Sequence, residues 1–183
     1  MKRIAAVVFL GAFFTLPGEI GYAQSLDDSL TKRGGNPPVI THSFASEQLH
    51  HGDTWRIYVA AKDPDGDMRR FVGVLEQVGH GTYPSSYASI KKKNRQELRG
   101  YLVFRSTSGM GLSVSEWTQL KLTLSIRDRG GNTSNRVVFP LVLSRGAKQP
   151  PPPPPFDSGG LDKLGVMWFE LRDDGYRRGS FRR

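Results

Sequence analysis

The sequence of 183 residues contains no cysteine. That absence excludes disulfide staples, thiolate metal centres, a cysteine nucleophile and lipid attachment at a cleavage-site thiol. Buried apolar surface alone must hold the fold together, which a chain of this length can supply. The sequence also lacks an apolar run long enough to cross a membrane: the longest, residues 4–16, is 13 residues, against ~20 for a spanning helix. Through residues 37–144 no apolar spacing of three and four persists, which excludes a substantial helix there. Missing as well are a Gly-x-Ser-x-Gly nucleophile elbow, a His-Glu-x-x-His pair and a phosphate-binding glycine loop. The histidines are His42, His50, His51 and His80, and an adjacent pair such as His50 and His51 points to opposite faces of extended chain. These absences argue against an enzyme.

What the chain does carry begins with Lys2 and Arg3, the apolar run, Pro17 and Gly18, and a small-residue site at Gly21, Tyr22 and Ala23. That order is the layout of a secretory signal peptide over residues 1–23. It predicts an exported protein of the periplasm, cell surface or surroundings, with cleavage after Ala23 and no membrane-spanning segment afterwards. The formal net charge is +9, which favours anionic partners; for an exported chain these are acidic polysaccharide or lipid head groups more than nucleic acid.

Residues 24–36 are polar and end in Lys32, Arg33, Gly34 and Gly35, a composition expected to form a flexible leader. Residues 37–144 carry the period of two that marks strands with one dry and one wet face. Leu120, Leu122, Leu124 and Ile126 alternate with polar neighbours, as do Trp55, Ile57, Val59 and Ala61. Further strands are expected at residues 39–44, 68–78, 98–104 and 136–143, with a short one near residues 87–91. Pro140 places the strand around it at an edge or a bulge, because it donates no ladder hydrogen bond. About seven strands separated by turn signals predict an all-β, antiparallel sandwich. Residues 145–155 end in six consecutive prolines and form a linker, a polyproline rod of ~19 Å at ~3.1 Å per residue. Residues 156–183 are expected to be a mostly disordered tail with an apolar segment at residues 164–171 and an arginine-rich end.

Four turns sharpen the fold. The pieces Asn36-Pro37-Pro38-Val39-Ile40, Gly52-Asp53-Thr54-Trp55, Asp63-Pro64-Asp65-Gly66-Asp67 and Asp128-Arg129-Gly130-Gly131-Asn132-Thr133-Ser134 resemble immunoglobulin-like domains, of cadherin-like or fibronectin type III-like kind, from bacterial envelope and surface proteins. The resemblance covers residues 36–144 and implies a single sandwich of that class. The disulfide of antibody-type members is absent.

Three segments carry candidate chemistry. Asp63, Asp65 and Asp67 set carboxylates at alternate positions, a spacing that suits Ca²⁺ with its six to eight oxygen ligands. With immunoglobulin-like strand order, Asp128 and Asn132 reach the same pole and complete a calcium site. Against an EF-hand, the twelfth position counted from Asp63 is Val74 rather than glutamate. The same aspartates also suit simple turn capping. Asn132-Thr133-Ser134 is, in addition, a glycosylation sequon.

The second segment is a basic run, Lys91, Lys92, Lys93, Arg95 and Arg99, with Tyr83 and Tyr87 upstream. Together with Arg177, Arg178, Arg182 and Arg183 it is a candidate surface for anionic polymer or membrane. The third is Leu164, Val166, Met167, Trp168, Phe169 and Leu171, a candidate partner-binding segment that adds a strand to another protein, lies on a membrane or folds back on its own domain. The expected function is a non-enzymatic envelope module binding a protein or surface glycan. An anionic-polymer or membrane binder and a calcium-binding surface domain stand beside it as alternatives.

Overall fold

The computed structural model describes residues 34–50, 53–107 and 119–171. They form two packed β-sheets, and among the described residues there is no α-helix. The four-stranded sheet runs in the order β1 (Val39–Ala45), β3 (Trp55–Lys62), β7 (Glu97–Thr107), β10 (Asp162–Glu170). Opposite lies the sheet of β2 (Gln48–Leu49), β9 (Val137–Leu143), β8 (Gln119–Asp128) and β4 (Met68–Gln77), with β5 (Gly81–Thr82) and β6 (Ser86–Ser89) both pairing β4. The fold is an all-β sandwich, compatible with an immunoglobulin-like arrangement.

The alternation seen in sequence becomes the inner faces. Leu120, Leu122, Leu124 and Ile126 of β8 and Trp55, Ile57 and Val59 of β3 are buried, while Lys121, Arg127 and Arg56 are exposed. One apolar cluster unites both sheets. Trp55 lies at its centre with no exposed surface, its indole Nε1–H donating to the Ser46 carbonyl at 2.8 Å. Pro140 sits opposite Lys121 on the outer strand β9, where β2 reaches only Val142 and Leu143, so the missing N–H breaks no ladder.

The structure corrects the sequence-based outline at its C-terminal end. The sandwich extends past residue 144, because Asp162–Glu170 of the expected tail is the edge strand β10. It pairs with β7 in parallel, and β2 pairs with β9 in parallel, so the sandwich is mixed rather than purely antiparallel. A parallel neighbour requires a long crossover; here the chain leaves β7, passes through β8 and β9 of the other sheet and returns to β10 by residues 144–161. This crossover is anchored to the four-stranded sheet at several points. Gln149 Nε2 donates to the Thr54 carbonyl at 3.2 Å, Arg99 Nη1 donates to the Pro155 carbonyl at 3.4 Å, and Phe156 packs on Tyr58 with only 2 % of its surface exposed.

The seat for β10 is cut by glycines. A Cβ on Gly73 of β4 would lie 2.5 Å from Met167 Cε, and one on Gly100 of β7 would collide with the Asp162 carbonyl and Leu164. Phe169 stacks on Phe104 at 5.3 Å between centroids, and the Trp168 N–H donates to Ser86 Oγ at 3.0 Å. β10 thereby ties the β7 edge of one sheet to β4 and β6 of the other.

Candidate functional site

The pole. The turn between β3 and β4 and the loop between β8 and β9 meet, with the Arg129 N–H donating to the Asp67 carbonyl at 3.2 Å. Asp63, Asp65, Asp67, Asp128 and Asn132 thus share one end of the sandwich, and the side chains of Asp63, Asp65, Asp128 and Asn132 are engaged in hydrogen bonds there. Buried Asp63 accepts the N–H groups of Asp65 and Asp67 at 3.0 and 3.3 Å. Asp65 accepts both the backbone N–H and the Nδ2 of Asn36, which fixes the end of the leader to the pole. Asp128, also buried, accepts the Asn132 N–H at 2.7 Å and its Nδ2 at 2.8 Å. Asn132 is therefore enclosed and engaged, which closes the sequon to glycosylation in the folded chain.

Among the described residues, no group of three or more acidic or histidine side chains is placed to hold a metal ion. The N–H groups that Asp63 and Asp128 accept are loop donors that these side chains cap. Asp67 differs, since its Oδ1 is enclosed without a protein donor, a group that calls for water or a cation. Thermal melts in millimolar Ca²⁺ and in chelator are expected to coincide if these residues act as caps; a rise in calcium that Asp67→Asn abolishes would place a cation at the pole.

The basic run. Lys92–Asn94 forms a single 3₁₀ turn ahead of β7. Two cations of the run, Lys93 and Arg99, face the chain's own returning segment. Lys93 Nζ pairs with Asp162, the first residue of β10, at 2.5 Å, and Arg99 holds the crossover at Pro155. The hydrogen bond and charge of Lys93, with a smaller contribution from Lys91, hold the Asp162 carboxyl below its usual value. Arg95 is half-buried. Tyr83 is buried and its hydroxyl donates to Gln77, so it offers no exposed ring. The apolar partner segment is likewise engaged: Leu164, Met167, Phe169 and Leu171 are buried in this domain's own core. Arg177, Arg178, Arg182 and Arg183 lie outside the described residues, as do residues 1–33 and His51.

The outer face of the four-stranded sheet. No candidate drawn from sequence included this surface, apart from Trp168 and Val166 of the apolar segment and Arg99 of the basic run. Ladder register sets Phe44, Tyr58 and Tyr101 in one row across β1, β3 and β7, with neighbouring rings 6.1 and 6.0 Å apart. The next row places Arg56 beside Val103, and the Arg56 guanidinium stands 5.3 Å from the Tyr101 ring centroid. Beyond it Arg105 lies 5.7 Å from the ring of Trp168, its register partner, and Trp168 is 55 % exposed. Arginine over an aromatic face is a cation–π pair that orders both side chains. Where the prolines cross this face, a cleft of about 410 Å³ opens between Phe44, Arg56 and Tyr58 on the floor and Pro150, Pro151 and Pro152 at the wall.

The signal for this face was present in sequence as the odd-numbered register of β7 and the even-numbered register of β3. It was obscured because Phe44, Arg56, Tyr58 and Tyr101 are distant in the chain and gather only through pairing. No protein-family model matches the sequence, and comparison with curated proteins likewise finds no match.

Proposed function

We propose that the protein is an exported, non-enzymatic binding module of the cell envelope, and that the outer face of the β1-β3-β7-β10 sheet binds an acidic surface polysaccharide. The observation that carries this reading is the set of aromatic rings and arginines on one face, with Arg56 against Tyr101 and Arg105 against the exposed Trp168. Flat rings accept the C–H faces of sugars, and guanidinium groups bond carboxylate or sulfate bidentately. The net charge of +9 draws an anionic polymer toward the surface. The signal-peptide layout of residues 1–23 and the resemblance of residues 36–144 to envelope domains support the location.

Calorimetric titration with an acidic polysaccharide such as heparin or alginate, beside a neutral one, tests the reading. The acidic polymer is expected to bind, and more weakly as salt rises. Trp168→Ala is expected to weaken binding at least ~10-fold, the scale of losing an aromatic anchor, with the unfolding midpoint little changed because the ring is largely exposed. Equal affinity in Trp168→Ala, or no binding to the acidic polymer at low salt, would remove the proposal. A protein ligand would use the same anchors, and selective capture of one envelope protein with no glycan binding would favour it.

A further inference from the structure

β10 shows Trp168 to the aromatic face on its outer side, while its inner side and its edge against β7 occupy a seat that has the form of a strand-acceptor groove. β1 to β9 are already linked through both sheets without β10. β10 is delivered separately, after 18 residues of crossover, residues 144–161, that belong to neither sheet. The groove contributes absences, Gly73 and Gly100, where the incoming strand contributes bulk in Met167 and Leu164. Besides the backbone ladder with β7, side chains attach the strand at its rim, Lys93 to Asp162 and Ser86 Oγ to the Trp168 N–H.

We propose that this groove also accepts β10 from a second copy of the chain, giving strand-exchanged oligomers. Every contact that β10 makes with β4, β6 and β7 is available equally from a neighbouring chain, so exchange loses none of them. The crossover is long enough. Eighteen residues extend to at most ~60 Å at ~3.4 Å each, a reach that requires the crossover to leave its anchors at Thr54, Arg99 and Tyr58 and to open the turn that the Phe156 N–H closes on the Pro153 carbonyl. Reciprocal exchange closes a two-fold dimer, whereas head-to-tail exchange leaves an open chain of subunits. Attachment in cis corresponds to an effective concentration on the order of millimolar. The closed monomer therefore dominates in dilute solution, and exchanged forms grow with concentration or after transient release of the strand.

The natural lack of cysteine makes the test direct. Arg105 and Trp168 are partners in the β7–β10 ladder and both are exposed. Strand neighbours ~4.8 Å apart lie within the Cα separation that a disulfide spans. Full-length Arg105→Cys and Trp168→Cys proteins, each carrying one thiol, are mixed at about 1 mM, taken briefly through mild denaturant, refolded and oxidised. Exchange is expected to give the mixed disulfide dimer in at least ~10-fold excess over either like-with-like dimer, because only the mixed pair is held together by the groove. The double variant Arg105→Cys/Trp168→Cys, kept dilute, is expected to close its disulfide within one chain. Mixed dimer no more abundant than like-with-like dimer, while the double variant closes internally, would overturn exchange. Failure of the double variant to close would overturn the seat itself.

Discussion

A chain ending at residue 161 is expected to lose most of its folding stability in urea unfolding, relative to one ending at residue 171. The missing strand carries Leu164, Met167, Phe169 and Leu171, each at most 4 % exposed. Burying such side chains contributes ~1.5–3 kcal/mol apiece, so the four together contribute ~6–12 kcal/mol, an upper figure because unfolded chains already bury some apolar surface. Whole domains are stable by only ~5–15 kcal/mol. Loss of β10 also uncovers its neighbours Leu102 and Phe104 and leaves the β7 edge unpaired. A single truncation inside the strand, Met167→Ala, is expected to cost ~2–5 kcal/mol and lets the effect be measured where the full deletion does not fold. An unfolding midpoint unchanged by removing residues 162–171 would mean that β10 is not part of the sandwich.

Trp55→Ala is the point substitution with the largest expected cost. Its ring has no exposed surface, meets Phe104 edge-on at 5.4 Å and spends its one donor on the Ser46 carbonyl. Removing a buried tryptophan costs ~3–5 kcal/mol through lost transfer energy and the cavity left behind, and the orphaned carbonyl adds ~1–3 kcal/mol. Trp55→Phe separates the two contributions, since it keeps most of the apolar volume while losing the N–H. It is expected to fold with an intermediate midpoint in denaturant. Equal midpoints for Trp55→Phe and the parent chain would show that the hydrogen bond to Ser46 contributes nothing.

Much of the fold was legible because its strands have one wet face. In β8 the repeat Leu120, Leu122, Leu124, Ile126 can be satisfied only by an extended chain with those residues inward, and the same holds for Trp55, Ile57 and Val59 in β3. Pro140 announced a strand with a free outer side, and it lies on β9 opposite Lys121 of β8 where β2 does not reach. The gathering of Asp63, Asp65, Asp67, Asp128 and Asn132 at one pole followed from strand order. What their carboxylates do there was not legible, because capping and cation binding call for the same residues and differ only in where the oxygens point.

β10 escaped for a different reason. Its register with β7 shifts between Lys163 and Gly165, so the inward residues Leu164, Met167 and Phe169 do not keep a period of two, and the preceding prolines mark a spacer. The cue to its seat, bare backbone at Gly73 and Gly100, lies on strands 62 or more residues away in the chain. The outer aromatic face was hidden in the same way, because cross-strand rows exist only once register is set.

By itself, the sequence determined a cysteine-free, basic chain, an all-β sandwich and the inward face of its main strands, since these depend on composition and on alternation between neighbours. Only the tertiary structure decided that the apolar segment beyond the prolines completes its own domain, that Lys93 and Arg99 of the basic run touch it or the crossover before it, and that Phe44, Arg56, Tyr58, Tyr101, Arg105 and Trp168 share one surface. Each of those outcomes depends on which strand lies beside which, a choice made by shape-matched burial between residues far apart in the chain.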